Sequence, residues 1–234
     1  MNKNEFIEEL SKINITLSEE QLNKLEKYYE LLVFWNEKIN LTSITEKEEV
    51  YLKHFYDSLT LSKVINLDDN LILCDIGTGA GFPGLVLKIC FPKLNITLVD
   101  SLEKRIKFLN LVIDELDLEN IKAIHTRAED FAKENIEKFD IVTSRAVAKL
   151  NILNELSIPI LKVGGYFLPM KANIDGELEQ SSNSIKLLNS KLIDVIEFKL
   201  PKENSVRNII KIEKIGITNT KYPRKFDKIK RNPL

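Results

Sequence analysis

Leu71-Ile-Leu-Cys-Asp75-Ile-Gly77-Thr-Gly79-Ala-Gly81-Phe-Pro-Gly84 is the stretch on which the fold turns. It starts as a short apolar run and ends in four glycines, and apolar Leu85–Cys90 follows. That order predicts a strand, a tight turn and a helix. Glycines at such a turn let a ligand approach the backbone, and the helix start favours a negative group. In an open α/β sheet, ligands lie beyond the carboxyl ends of the strands. The next apolar run, Ile96-Thr-Leu-Val-Asp100, ends in an acid 19 residues after Gly81. A carboxylate there can accept the hydroxyls of a ribose. The glycine spacing is G-x-G-x-G, not the G-x-G-x-x-G of dinucleotide sites, and Asp75 stands two residues ahead of it. An acid beside the loop disfavours a pyrophosphate. It suits a ligand carrying both an ammonium and a carboxylate, as the methionine end of S-adenosylmethionine does. Gly77, Gly79 and Asp100 are therefore candidate contacts for that cofactor, which is favoured over NAD.

Outward from this centre, apolar runs and helical periodicity alternate. Ile121–His125, Phe139–Thr143, Val163–Leu168, Leu192–Phe198 and Val206–Ile212 bring the candidate strands to seven. Lys104–Leu116 and Leu150–Leu161 read as helices between them. Alternating strands and helices indicate βαβ units and a mostly parallel sheet covered on both faces. The fold class is thus α/β, a Rossmann-like sheet (of the class I methyltransferase kind, given an S-adenosylmethionine donor) with a helical extension at residues 1–66 and the main domain at 67–234. In the extension, Ser18 and Gln21 form a capping-box pattern. Leu22, Leu25, Tyr29, Leu32 and Trp35 then recur at helical spacing, and Phe34 and Trp35 are expected in the core. Polar Asn36–Ser43 reads as a loop, and Thr45 with Glu48 as a second capping box opening a helix through Leu61. His54 on that helix is read as a core group, and Asn40 and Asp57 as ties to the sheet.

The 234 residues are 44% apolar and 29% charged, near the average for globular domains. No apolar run approaches the ~20 residues that span a bilayer. The start, MNKNEFIEEL, lacks a signal peptide's apolar core, so a cytoplasmic protein is expected. Two cysteines, Cys74 and Cys90, cannot build a disulfide framework or a four-ligand zinc site; both are expected buried and reduced, and no metal is expected. The net charge of -1 hides an asymmetry. Residues 1–70 carry 8 Lys and 14 acids, and residues 199–234 carry 11 Lys+Arg and 3 acids. The end, Lys221-Tyr-Pro-Arg-Lys-Phe-Asp-Lys-Ile-Lys-Arg231, reads as an aperiodic basic surface arm suited to a polyanion. With 28 Lys and only 6 Arg, each arginine draws notice for its bidentate fork. Arg127 and Arg145 both fall at ligand-facing strand ends. The segment Thr126–Asp130 could read an adenine edge, and Ser144–Ala148 is the wall facing a transferable methyl.

Gly77–Gly84, Leu98-Val-Asp-Ser101, Lys104–Leu109, Arg127-Ala-Glu129 and Ser144–Ala148 resemble the bacterial glucose-inhibited division protein B family. So do Asn40-Leu-Thr42, His54–Leu59, Lys171 and Tyr222-Pro-Arg224. The resemblance runs from about residue 35 to the end. It departs at Val86, where the family often has a second proline, and at Ala172, where glycine often follows the lysine. It implies a methyltransferase acting on guanine N7 of small-subunit ribosomal RNA, with cofactor contacts at Gly77, Phe82, Ala128, Glu129 and Arg145.

The chemistry is compatible. No Asn-Pro-Pro-Tyr-like stretch follows the fourth strand to serve an exocyclic amine, and neither cysteine stands where a pyrimidine C5 nucleophile would. Guanine N7 already has an in-plane lone pair on the Hoogsteen edge and needs neither. No general base is assigned; Arg145 is expected to position the guanine or its O6. Lys104, Arg105, Lys171, Lys221, Arg224 and Arg231, with Lys107, Lys225 and Lys230, are expected on an RNA-facing basic surface. The partner is then the small-subunit RNA or ribosomal subunit, with no membrane, and the chain is expected to act as a monomer. The rivals are an NAD-dependent oxidoreductase, a non-catalytic RNA-binding assembly protein, and a methyltransferase for a small molecule or protein.

Overall fold

The computed structural model describes all residues 1–234. All seven expected strands form: β1 Ile72–Ile76, β2 Asn95–Asp100, β3 Ile121–His125, β4 Phe139–Arg145, β5 Leu161–Lys171, β6 Ser190–Lys199 and β7 Val206–Lys214. Their order is β3-β2-β1-β4-β5-β7-β6. The first five are parallel, and β7 runs antiparallel to both β5 and β6. The strand order reverses between β1 and β4, so their carboxyl ends flank the crevice that a doubly wound sheet offers to ligands. The helices are α1 Lys3–Ser11, α2 Glu19–Ile39, α3 Lys47–Val50, α4 Asp57–Leu59, α5 Gly84–Cys90, α6 Glu103–Glu115, α7 Ala128–Glu134, α8 Leu150–Ser157, α9 Glu177–Leu187 and α10 Phe226–Arg231. None is long and apolar enough to cross a membrane.

Local chemistry explains where the elements begin and end. Ser18 caps α2 as expected: its hydroxyl accepts the Gln21 N–H at 3.2 Å, and the Gln21 side chain accepts the Ser18 N–H at 2.8 Å. Leu25, Tyr28 and Leu32 then face inward from α2 with no exposure, each burial worth about 1.5–3 kcal/mol. One apolar cluster runs from Phe6, Leu25 and Phe55 of the N-terminal helices to Leu85, Leu98 and Leu109 around the sheet. The helices of residues 1–66 therefore share the core of the sheet on one face. A second cluster, built on Val142, Leu153, Phe167 and Ile210, fills the other.

Several sequence expectations need correction. Asn36 does not break α2, which continues to Ile39. Its side-chain oxygen instead accepts the N–H groups of Leu41 (2.6 Å) and Thr42 (2.8 Å), folding the chain back at the helix end. Asn40 sits in the left-handed region at φ 49 as the C-cap of α2, and does not tie the extension to the sheet. Thr45 caps nothing; α3 starts after Glu46 without a side-chain cap. Phe34 is 54% exposed and lies under the Lys38 ammonium, so it is no core residue, and Trp35 is only half-buried. The helix expected to run to Leu161 gives way at Ile158, and Leu161 opens β5. Cys74 and Cys90 are buried free thiols. Between α3 and α4, Tyr51–Tyr56 winds as a π-helix, a rare turn that favours functional sites. It carries His54 to the crevice.

Candidate functional site

The glycine loop is pinned from both sides. Val99 O accepts the N–H groups of Gly77 (2.8 Å) and Thr78 (3.1 Å). Beneath the loop, Asp75 Oδ2 accepts the Thr78 hydroxyl at 2.7 Å and the Gly84 N–H at 2.9 Å, while Oδ1 has no partner. Asp75 has no exposure, and burial raises its pKa to about 6. Asp75 therefore ties the loop to the start of α5 from below and does not face a ligand's ammonium, contrary to the sequence reading. From the other side, Tyr28 of α2 donates its hydroxyl to Ala80 O at 2.5 Å. The Tyr28 ring stacks near those of Phe55 and Phe82.

Above the strand ends lies a cavity of about 520 Å³, in the size range of small-molecule sites. Gly77, Asp100, Thr126, Arg127, Ala128 and Glu129 line it, with Ala146–Ala148 as one wall. Asp100 accepts the Gly79 N–H (3.0 Å), the Leu102 N–H (2.9 Å) and Arg105 Nη1 (3.1 Å). A carboxylate offers about four acceptor sites, so room for a ligand hydroxyl remains. Gly79 and Phe82 do not line this cavity. Gly79 acts through Asp100, and Phe82 is buried beneath the loop with His54 stacked on it at 4.2 Å between centroids. Spacing along a loop does not tell which residue turns inward. Arg105 is in the cavity, paired with Asp100, and not on an RNA-facing surface.

A second cavity of about 610 Å³ opens on the far side of Ala146–Ala148, which line both. Arg145 belongs to this second cavity, not the first. Its Nη1 donates to Lys53 O (2.9 Å) and Asp57 Oδ2 (3.0 Å), and its Nη2 to His54 Nδ1 (3.1 Å). Because a guanidinium only donates, His54 Nδ1 holds the lone pair, and Nε2–H donates to Thr42 Oγ1 at 3.0 Å. Burial, reinforced by the neighbouring Arg145 charge, lowers the His54 pKa to about 3, so the ring is neutral. His54 is thus buried, as read, but as part of the crevice wall. Asp57 also pairs with Arg207 (3.3 Å) and does tie the extension to the sheet. At the other end of the wall, Lys171 donates to Ala148 O (2.8 Å) and Glu177 Oε2 (2.6 Å). Ala146 adopts φ 56, a left-handed conformation that costs a non-glycine residue about 1–2 kcal/mol. Arg145 and Lys171 hold the strained wall in place between them.

The remaining basic candidates scatter. Lys104 donates to Ile39 O at 2.8 Å, and Lys107 pairs with Glu103. Arg224 grips Glu155, which has no exposure, so its guanidinium is committed inside the protein. Lys221, Lys225, Lys230 and Arg231 are exposed. The arm that carries them is not a loose surface strand: Tyr222 and Ile229 are buried, and Phe226 lines the first cavity. Sequence reasoning placed Val147 in the wall, as found, but missed Phe226 as a cavity residue; it stands in no motif whose spacing would mark it.

Comparison with known proteins bears on the fold and the family. Among solved structures, the chain resembles M. jannaschii TYW2 in complex with AdoMet (TM-score 0.54, 19% identity, 68% of this chain and 77% of that one). It also resembles the [4+2]-cyclase SpnF (TM-score 0.56, 14% identity, 69% and 82%). At such identities the likeness shows the fold alone, a Rossmann-like class I methyltransferase sheet. Sequence relatives are far nearer. Ribosomal RNA small subunit methyltransferase G of Lysinibacillus sphaericus is 50% identical over 229 residues, covering 96% of each chain. That of Bacillus subtilis is 49% identical, covering 100% of this chain and 99% of its own. A family model described as rRNA small subunit methyltransferase G matches residues 21–206. The chain belongs to the rRNA small subunit methyltransferase G family.

Proposed function

We propose that this chain transfers a methyl group from S-adenosylmethionine to N7 of a guanine in small-subunit ribosomal RNA. The observation that carries the reading is the pair of cavities divided only by Ala146–Ala148, one for a donor and one for an acceptor base. The first cavity suits the cofactor. A Cβ at Gly77 would stand 2.5 Å from Val147, so only glycine leaves this cradle open, and Asp100 stands ready for ribose hydroxyls. Gly77, Asp100, Ala128 and Glu129 would hold the cofactor, whose sulfonium supplies an activated methyl. The chain's own residues orient the two reactants, which is the protein's main task when the cofactor carries the chemistry.

The second cavity fits an acceptor that needs no base. Both nitrogens of His54 are engaged, and Asp57 lies against two arginines, so both are built into the wall. Guanine N7 offers its own lone pair. Lys53, Arg145, Lys149, Lys171 and Arg207 outnumber Asp57 and Glu177 around this opening, as a phosphate-bearing substrate requires. Exposed Lys221 and Arg231, and Lys104 of α6 against the end of α2, add positive charge elsewhere on the surface. On this reading the chain acts as a monomer in the cytoplasm, where ribosomal RNA is modified. The test is to incubate labelled cofactor with deproteinised small-subunit RNA or intact subunits and either wild-type or Gly77→Asp protein. Label in RNA with the wild type and none with the variant is expected. No label in either RNA substrate with the wild type, or retention of NAD but not S-adenosylhomocysteine in dialysis, overturns the reading.

A further inference from the structure

The basic C-terminal arm is docked, and what docks it places an aromatic ring at the donor cavity. Glu155 on α8 has no exposure, and three donors of Arg224 meet it: the backbone N–H (2.8 Å), Nε (2.8 Å) and Nη2 (2.6 Å). Arg224 Nη2 also donates to Asn232 O at 3.1 Å, closing the arm on itself. Tyr222, two residues before Arg224, is buried in the second apolar cluster, and Ile229 is buried on α10. A bidentate Arg–carboxylate pair with one partner fully buried is a strong and directional anchor. Phe226 lies two residues beyond it. Its ring lines the donor cavity and is the only aromatic side chain that does so. It also borders an adjoining hollow with Arg127, Glu129, Asp130 and Lys133, which places it over the start of α7. That is the far side of the cavity from the glycine loop. Asp100 at the end of β2 is paired in register with His125 of β3, so residues 126–129 lie one strand further out. With the ribose at Asp100, the base of an adenosyl group falls there.

Resting on the S-adenosylmethionine reading above, we infer that Phe226 is a cofactor-binding residue: the C-terminal arm forms the outer wall of the donor cavity and sets an aromatic face against the purine. The other apolar lining is aliphatic, from Ile76, Val99, Leu102, Val147 and Leu156, and supplies no ring of its own. Stacking of a base on an aromatic side chain is worth about five- to 150-fold in affinity.

Isothermal titration with S-adenosylhomocysteine and with methylthioadenosine, which keeps the adenosyl half only, tests this without RNA. Phe226→Ala is expected to raise Kd about tenfold for both ligands, while Phe226→Tyr stays near wild type. Phe226→Leu keeps apolar bulk and should still lose affinity. Phe226 is half-buried, so the melting temperature of each variant should change little. If alanine lowers it substantially, the comparison of leucine with tyrosine decides. Wild-type affinity in the alanine or the leucine variant, or a loss for S-adenosylhomocysteine without one for methylthioadenosine, overturns the inference. Failure of the wild type to bind either ligand would instead overturn the cofactor reading on which it rests.

Discussion

Alanine at Gly79 and at Gly77 separates backbone strain from cavity blockage within one loop. Both glycines are left-handed, at φ +63 and +70, so each alanine bears about 1–2 kcal/mol of conformational strain. At Gly79 a Cβ meets nothing within 4 Å, and its N–H can still hold Asp100. At Gly77 the same Cβ would come within 2.5 Å of Val147 Cγ2 and 3.1 Å of Cγ1. Val147 is 41% exposed and can turn away, at about 0.5–1.5 kcal/mol for a poor rotamer. It lines both cavities, so it turns into one of them. The stability losses should therefore be similar, about 1–2 kcal/mol for Gly79→Ala and about 2–3 for Gly77→Ala, or a few degrees in melting temperature. Binding should differ sharply: about tenfold weaker S-adenosylhomocysteine for Gly77→Ala, and less than about threefold for Gly79→Ala, since 1.4 kcal/mol is a factor of ten. Urea denaturation and isothermal titration read the two quantities. Equal binding losses in the two variants would refute the assignment of Val147 to the shared wall.

Three further outcomes follow from buried contacts. Tyr28→Phe leaves Ala80 O without its donor, and should cost about 1–3 kcal/mol on denaturation and weaken cofactor binding through the loop, although Tyr28 lines neither cavity. Asp57→Ala strands Arg145 and Arg207 beside a 4%-exposed site, and should cost about 3–5 kcal/mol, the usual loss when one partner of a buried pair is removed; an effect below 1 kcal/mol contradicts the tie. His54 is neutral when folded, with its pKa lowered to about 3 from 6.5, so its contribution to stability is present above pH 6.5 and is lost as pH falls toward 3. Asp75, raised to about 6 from 3.8, acts oppositely: its contribution is present below 3.8 and lost as pH rises through 6. Wild-type stability should therefore begin to fall below about pH 7 and flatten between pH 6 and 4, and His54→Asn should abolish the first decline; equal slopes in the two proteins contradict the neutral ring.

The sheet was legible because each strand is a short apolar run bounded by polar or turn residues, and period and length alone locate such runs. The glycine loop and Asp100 were legible because a strand-to-helix turn near a cofactor restricts residue type. Side-chain direction was not: Phe82 and Val147 both flank the crevice, and only packing against Tyr28 and His54 sends Phe82 below the loop. Long-range ion pairs were hidden as well. Arg224 looked like an RNA contact because its partner, Glu155, lies 69 residues away inside an apolar helix. Arg105 likewise looked like part of a basic helix face until the end of β2 brought Asp100 to it. Asn36, a helix breaker by composition, serves as an acceptor for the turn that follows α2.

The proposed transfer is direct: a ring nitrogen of guanine takes the methyl as the bond to sulfur breaks, where the two cavities meet along Ala146–Ala148. Methylation at N7 labilises the guanine to borohydride reduction and aniline cleavage of the chain. The decisive measurement is that cleavage on small-subunit ribosomal RNA from cells lacking this protein, before and after incubation with the purified chain and S-adenosylmethionine. The account predicts a new cleavage at one guanine, absent with Gly77→Asp protein. Methyl incorporation without cleavage, or no incorporation at all, would contradict it.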